Sequence, residues 1–317
     1  MAASAVPSRG FGFALLIGVA LGWGLNWPAM KLIVGEVPPW QFRAVTGAAG
    51  AVLLLGLARV LRQPLAVPRE QWLPLVAASL LNVTSWFVLI AYGVKLMASG
   101  HASILGFTMP IWAAVIGMAA LGERMSTRRF VSLAMGIAGV VVLLSHDFAA
   151  LGASPIGALI TLVGAFNWAI GVHIQKRVKW AVEPLVLAGW QVALGTLPIV
   201  VIALFAEPFV YHRASWPVIG ATVYLVTYAL AFCYYAWFNV VRIFPTHISA
   251  IGSLLVPIVG VASSSLFLGE PFGWREIAAL VLVVGAVALV MIQPPERPAA
   301  AAAPAGNAPA GAAARGE

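Results

Sequence analysis

Long apolar stretches separated by short polar breaks run through this chain, and their lengths set the first expectation. At roughly 20 residues per bilayer crossing, the pattern predicts helices over 11–33, 40–61, 72–95, 99–121, 128–146, 154–176, 184–206, 215–241, 246–269 and 273–293. Barrel strands would alternate apolar and polar positions, and these stretches do not. With no water in the hydrocarbon, backbone groups must bond within their own segment, which favours helices. The expected fold class is all-α integral membrane, with ten transmembrane helices. Prolines punctuate the breaks at Pro38-Pro39, Pro64, Pro68, Pro155, Pro184, Pro208 and Pro245.

Composition agrees. The chain is 62% hydrophobic and 9% charged, with mean hydropathy +0.98, whereas soluble domains carry roughly 25% charged residues. The apolar run after Arg9 is too long for a signal peptide and lacks a small-residue cleavage site, so it reads as the first span. After Pro294 the chain is mostly Ala, Pro and Gly. Such a tail has nothing to bury and is expected to be disordered.

The net charge of +8 does not call for a nucleic-acid partner, because the basic residues sit between spans. With the N-terminus inside, thirteen Lys and Arg fall on the inner side (Arg9, Arg59, Arg62, Arg69, Arg124, Arg128, Arg129, Lys176, Arg177, Lys179, Arg242, Arg297, Arg315). Four fall outside (Lys31, Lys95, Arg213, Arg275), and Arg43 lies within the second span. That asymmetry predicts both termini in the cytoplasm of a bacterial-type inner membrane. Cys233 is the only cysteine, which excludes internal disulfides and cysteine metal sites. No cofactor or metal is expected.

A stretch recurs within the chain. HASILGFTMPIWAAVIGMAALGERMSTR (101–128) and HISAIGSLLVPIVGVASSSLFLGEPFGWR (247–275) each carry a mid-helix proline, then Gly-Glu, then Arg. Pro110 precedes Glu123, and Pro257 precedes Glu270, by the same thirteen residues. Trp23 precedes Lys31 by eight, as Trp168 precedes Lys176, and Pro39 and Pro184 follow those tryptophans by sixteen. The expected organisation is a cytoplasmic N-terminus at 1–10, a first five-helix repeat at 11–146, a linker at 147–153, a second repeat at 154–293, and the tail at 294–317. An odd number of spans per copy makes the copies insert inverted, which is the mark of alternating-access transporters with a site near the midplane.

These residues resemble those of a known family. WGLNWPAMK (23–31), WAIGVHIQK (168–176), Arg43, and the paired helices carrying Pro110…Gly122-Glu123 and Pro257…Gly269-Glu270 are similar to the drug/metabolite transporter superfamily, of the ten-span EamA type. The resemblance covers the chain to about residue 293. It implies export or facilitated passage of small organic solutes, and the aromatic-rich spans resemble the branch that exports aromatic and other amino acids. It also implies that spans five and ten are peripheral and that the other eight surround a cavity.

Intramembrane polar groups are costly and therefore candidates for function. Asn26, Asn82 and Trp86 fall near mid-depth of spans one and three, as do Asn167, Trp168 and Tyr228 of spans six and eight. The amides suit an amino acid's carboxylate or ammonium, and the rings suit its side chain or, by cation–π attraction, its ammonium. Interhelical packing is the plainer alternative for each. His101 and His247 occupy matching helix starts, where they gate, bind or simply cap. No acid is near them in sequence, so an intramembrane enzyme built on His-x-Ser is disfavoured, and no enzymatic activity is expected. No span carries a mid-depth carboxylate, which favours a facilitator or a His-dependent coupling.

Arg43 either attracts a carboxylate or snorkels to the outer headgroups, with the second favoured. Pro110 and Pro257 each remove a backbone donor and kink the helix, and their duplication makes them candidate gating points. Gly136 and Gly139 allow close helix approach within the fold rather than between copies, so a monomer is expected. The partners expected are a small-molecule solute, an amino acid or related metabolite, and the lipid bilayer. Nucleosides, sugars and cationic drugs are the alternatives within the superfamily. A phosphate ester would need Arg43, Lys31 and Lys95 as its cations.

Overall fold

The computed structural model describes residues 9–121, 126–145, 154–244 and 246–291. Gly122-Glu123, Pro245, the linker at 147–153, the first eight residues and the tail lie outside the described residues, as does the side chain of His247.

Helix follows helix: α1 (Arg9–Glu36), α2 (Pro39–Val60), α3 (Trp72–Ser79), α4 (Trp86–Leu96), α5 (Ser99–Gly106), α6 (Met109–Leu121), α7 (Thr127–Leu144) and α8 (Ser154–Arg177). Then come α9 (Pro184–Ala206), α10 (Trp216–Tyr224), α11 (Cys233–Ile243), α12 (Thr246–Ser253), α13 (Leu255–Leu268) and α14 (Trp274–Met291). Among the described residues there is no strand. Eight helical stretches are long and apolar enough to cross a membrane, with α3 and α4 continuous, α5 and α6 nearly so, and α10 running into α11; α13 is a shorter apolar helix. The outward faces of α7 and α9 are apolar, with Phe130, Val141, Leu204 and Phe205 exposed, as suits a lipid-facing surface.

Local chemistry explains the ends. Pro39 and Pro184 open α2 and α9 at the first helical turn, where the missing N–H has no intrahelical partner to lose. Ser126 caps α7 by accepting from the Arg129 amide at 3.3 Å. Gly269 closes α13 with φ +63°, the left-handed cap that glycine adopts without strain. That reversal sends Glu270 back to α5, where it accepts from the Ser99 and Gly100 amides at 2.8 and 2.9 Å and from Ser99 Oγ at 2.9 Å. Ala98, at the α5 cap, has no side-chain oxygen of its own, so a carboxylate from a distant helix neutralises that helix end. Arg275, five residues on, lies against the Trp274 ring, 5.3 Å from its centroid.

Two features depart from the uniform helices expected. Residues Leu80–Ser85, between α3 and α4, and Leu225–Phe232, between α10 and α11, are wound as π-helix. Such wide turns are uncommon and occur frequently at functional sites. The other departure concerns the prolines. The helix breaks come at Phe107–Thr108 and at Leu254, before Pro110 and Pro257 rather than at them. Each break directly follows the carbonyl four residues back, at Gly106 or Ser253, which the proline cannot engage and its ring presses against.

In the bundle, α2 packs along α9, α1 along α13 and α11, α8 along α4, α5 and α6, and α7 along α14. Gly139 lets α7 approach α14, since a Cβ there would sit 2.8 Å from Val283, and Ser132 Oγ donates to the Ala286 carbonyl at 2.8 Å. Gly136 faces Ile111 of α6, so both glycines serve contacts within the chain.

Lys31 ties α1 to the end of α4. Its Nζ donates to the carbonyls of Val94 and Met97, each at 2.8 Å, and of Lys95 at 3.3 Å. These are orphan carbonyls at a helix C-terminus, where a cation also meets the helix dipole favourably. Lys31→Met should therefore lower stability by about 2 kcal/mol, at the scale of hydrogen bonds to charged groups. A thermal melt in detergent checks this, and an unchanged midpoint would show that the tie is dispensable.

Candidate functional site

The candidate solute contacts singled out from sequence divide among four places, His101 occupying the last. The first joins Asn82, Trp86 and Trp168. Trp86 follows the first π turn and Trp168 lies mid-way along α8; their ring centroids are 6.3 Å apart with planes tilted 53°, within the range of aromatic pairs. Asn82, on the π turn, donates its amide to the Trp168 carbonyl at 3.3 Å, while its carbonyl oxygen is buried without a partner. It lies so flat against Gly171 that a Cβ there would overlap the carboxamide oxygen. Asn167 joins them, donating to Ser85 Oγ at 2.8 Å. Both rings are half-buried.

Trp27 extends this cluster, and sequence reasoning missed it. Its ring tip and that of Trp86 converge on Gly106, at the end of α5, where a Cβ would lie 2.8 Å from one and 3.5 Å from the other. On the other side a Cβ at Gly260 of α13 would meet Ser103 Oγ at 2.8 Å and Trp27 Cδ1 at 3.0 Å. Ser103 in turn donates to the Pro257 carbonyl at 3.5 Å. The aromatic cluster thus lies against both broken helices, beside the backbone that Pro110 and Pro257 interrupt. The mid-helix position of Trp27 was the available signal, hidden by its place next to Pro28 in a motif read through Trp23.

The second place holds Asn26. This half-buried side chain points one turn along α1 at Met30 Sδ, 3.8 Å away. Arg43 reaches the same sulfur.

The third place holds Tyr228, on the second π turn. Its ring stacks between Tyr224, 5.7 Å away, and Phe232, 4.8 Å away, and its hydroxyl reaches the Gly18 carbonyl of α1 at 3.5 Å. Tyr224 donates to the Gly22 carbonyl at 2.7 Å. These rings seal α10 and α11 against α1, and Tyr228 is not part of the Trp86–Trp168 cluster.

His101 corrects the expectation that no acid lies near it. Its Nε2 is 3.1 Å from Glu276 Oε1, contributed by α14, and both residues are buried. The other oxygen of Glu276 accepts from the Gly273 amide at 2.7 Å, the carboxylate half of a capping box. His101 thereby links the start of α5 to the start of α14. Lys31, engaged with three carbonyls, is likewise not the free cation a phosphate ester would require.

A separate cavity of about 320 Å³ opens where α2 ends and α9 begins, lined by Gln63, Glu183, Tyr235 and Asn239 among others. It does not touch the tryptophan cluster.

A nearly all-helical bundle with eight bilayer-length apolar stretches is a multi-span membrane protein. The sequence profile of the EamA-like transporter family matches residues 10–145 and again 155–292, and the chain belongs to that family. It is accordingly a membrane transporter of the drug/metabolite superfamily. It is 27% identical to the Bacillus subtilis transporter YvbV over 287 residues, covering 90% of this chain and 93% of that one. It is 28% identical to proteins named as probable amino-acid metabolite efflux pumps in Salmonella typhimurium and Escherichia coli. Those matches cover 87% and 86% of this chain and 93% and 91% of theirs. A solved crystal structure superposes with a TM-score of 0.61 at 22% identity, covering 89% of this chain and 96% of the other, and so shares the fold.

Proposed function

We propose that this transporter exports small amphipathic metabolites, with amino acids including aromatic ones as its substrate class. The observation that carries this reading is the meeting of Trp86 and Trp168 at 6.3 Å beside Asn82, on a π turn deep in the bundle. Two tilted rings offer apolar faces to a solute side chain, and the buried, unsatisfied Asn82 oxygen offers an acceptor to its ammonium. The names of the Salmonella and Escherichia relatives point the same way.

The mechanism proposed is alternating access between two inverted five-helix halves, crossing the membrane ten times with both termini in the cytoplasm of the bacterial plasma membrane. Helix starts recurring at offsets of 144 to 147 residues support the duplication, as in Pro39 with Pro184 and Ser99 with Thr246. So do the matching π turns, beginning at Leu80 and Leu225. The breaks before Pro110 and Pro257 are the proposed points of movement, since each lies where helix hydrogen bonding is already interrupted. The tryptophans and Asn26 hold the solute between these hinges, and the protein works as a monomer.

Counterflow in proteoliposomes, with a panel of amino acids, nucleosides and sugars, tests the substrate class. Aromatic amino acids should exchange at least tenfold faster than nucleosides or sugars. Exchange of a nucleoside or sugar with no amino acid moving would overturn the reading.

A further inference from the structure

Arg43 does not snorkel. It lies one turn into α2 with only 5% of its surface accessible, and its guanidinium turns inward among α1, α2 and α4. Nε donates to the Phe87 carbonyl at 2.9 Å, and Cζ lies 4.5 Å from the Phe42 ring centroid and 4.9 Å from that of Phe87. Among the described residues no carboxylate comes within ion-pair distance of it. Tyr211, in the loop before α10, interacts with it electrostatically, but burial pushes that phenol's pKa up, so it supplies no anion at neutral pH. An arginine keeps its proton in a protein. The bundle therefore holds a fixed positive charge with five donors, one carbonyl and two aromatic faces.

What Arg43 does meet is a thioether. Nη2 is 2.8 Å from Met30 Sδ, and Asn26 Nδ2 aims at the same sulfur from 3.8 Å. Thioether sulfur is a weak acceptor. Two donors from different helices, one of them charged, converge on an atom that satisfies neither well. A carboxylate would complete that arrangement: it carries the missing charge and two oxygens, and guanidinium recognises it through paired N–H groups. Met30 is unbranched and can rotate aside. Next along α4 stands Trp86, of the aromatic cluster.

We infer that Arg43, with Asn26, is a carboxylate receptor on the transport pathway, with Met30's thioether standing where a carboxylate oxygen would bind. The inference rests on the transporter reading and narrows it: the preferred solute is an organic acid or zwitterion, not a neutral or purely cationic molecule. A purely structural Arg43, anchoring the Phe87 carbonyl, would be blind to the solute's charge.

Exchange rates of phenylalanine, phenylalaninamide and 3-phenylpropionate in proteoliposomes separate these cases. The unsubstituted protein should move phenylalanine at least tenfold faster than its amide. R43Q should slow phenylalanine at least tenfold while leaving the amide within about threefold. R43K, which keeps the charge without the fork, should retain a preference for the acid reduced by threefold or more. Equal rates for acid and amide in the unsubstituted protein, equal losses on both in R43Q, or an unchanged preference in R43K would overturn the inference. Should R43Q fail to fold, the unsubstituted protein and R43K still decide. If 3-phenylpropionate moves in an Arg43-dependent way and no amino acid does, the amino-acid reading falls and the receptor stands. If amino acids move no faster than their amides, the receptor falls alone.

Discussion

Replacing Trp168 by alanine should cut exchange of an aromatic solute by roughly tenfold or more while the protein still folds. A tenfold loss corresponds to about 1.4 kcal/mol, close to what one aromatic contact supplies beyond simple burial. Folding should survive for a specific reason. Two bonds join α8 to the first π turn, from Asn82 to the backbone carbonyl of Trp168 and from Asn167 to Ser85 Oγ, and alanine at position 168 keeps both groups. The indole itself is half-buried and meets Trp86 at 6.3 Å. Its removal should cost less than the 3–5 kcal/mol typical of a fully buried tryptophan. Trp168→Phe retains a ring and should recover most of the exchange. Trp274→Ala serves as the control, because that ring is 68% exposed on α14 and has no place in the cluster. Equal loss of exchange and melting midpoint in Trp168→Ala, with no recovery by phenylalanine, would mean that the indole packs and does not bind.

The helices themselves were legible because their signals are local. Apolar length and proline punctuation placed the outer ends of the long apolar stretches within a few positions, down to Pro39 and Pro184 opening α2 and α9, but not the breaks and π turns inside them. The equal spacings of Trp, Lys and Pro that suggest duplication are local signals of the same kind, since they need no knowledge of contacts.

What escaped depends on partners far away in the chain. Nothing in LLNVTS or LVTYALAF marks a π turn; the extra residue is accommodated where Thr84 Oγ1 donates to the Gly195 carbonyl at 2.6 Å and where Gly50 receives Leu230. His101 and Glu276 are 175 residues apart, so their pairing has no sequence signal. Arg43 was misjudged because a cation near a helix start ordinarily reaches for water, and its inward turn depends on Met30 and Phe87 from two other helices. Tyr228 and Asn82 occupy corresponding π turns, yet one seals a helix contact with α1 while the other joins the tryptophans. Repeat symmetry predicts where a residue lies along its helix, and the neighbours decide what it touches.

That distinction yields a matched pair of substitutions at corresponding places in the two halves. Gly195→Ala should be among the most destabilising single changes, at ~3 kcal/mol, the upper end of overpacking costs. Its Cβ would stand 2.5 Å from Val83 Cβ, 2.8 Å from Val83 Cγ1 and 2.7 Å from the backbone oxygen of Ser79. A β-branched side chain is stiff about χ1, and the carbonyl belongs to α3 where it leads into the π turn, so neither can yield without moving backbone. Gly50→Ala meets Leu230 Cδ1 at 2.7 Å, the far end of a side chain that can rotate, and should cost under about 1 kcal/mol. Unfolding in detergent should therefore rank Gly195→Ala well below Gly50→Ala. Adding Val83→Ala should restore only part of the loss, because it removes the Cγ1 contact alone, while the clashes with the Cβ at position 83 and with the Ser79 carbonyl remain. If Gly195→Ala melts with the unsubstituted protein, α9 and the π turn do not approach as closely as this packing requires. Full recovery by Val83→Ala would instead place the whole cost in the Val83 γ-carbons and relieve the backbone of any part in it.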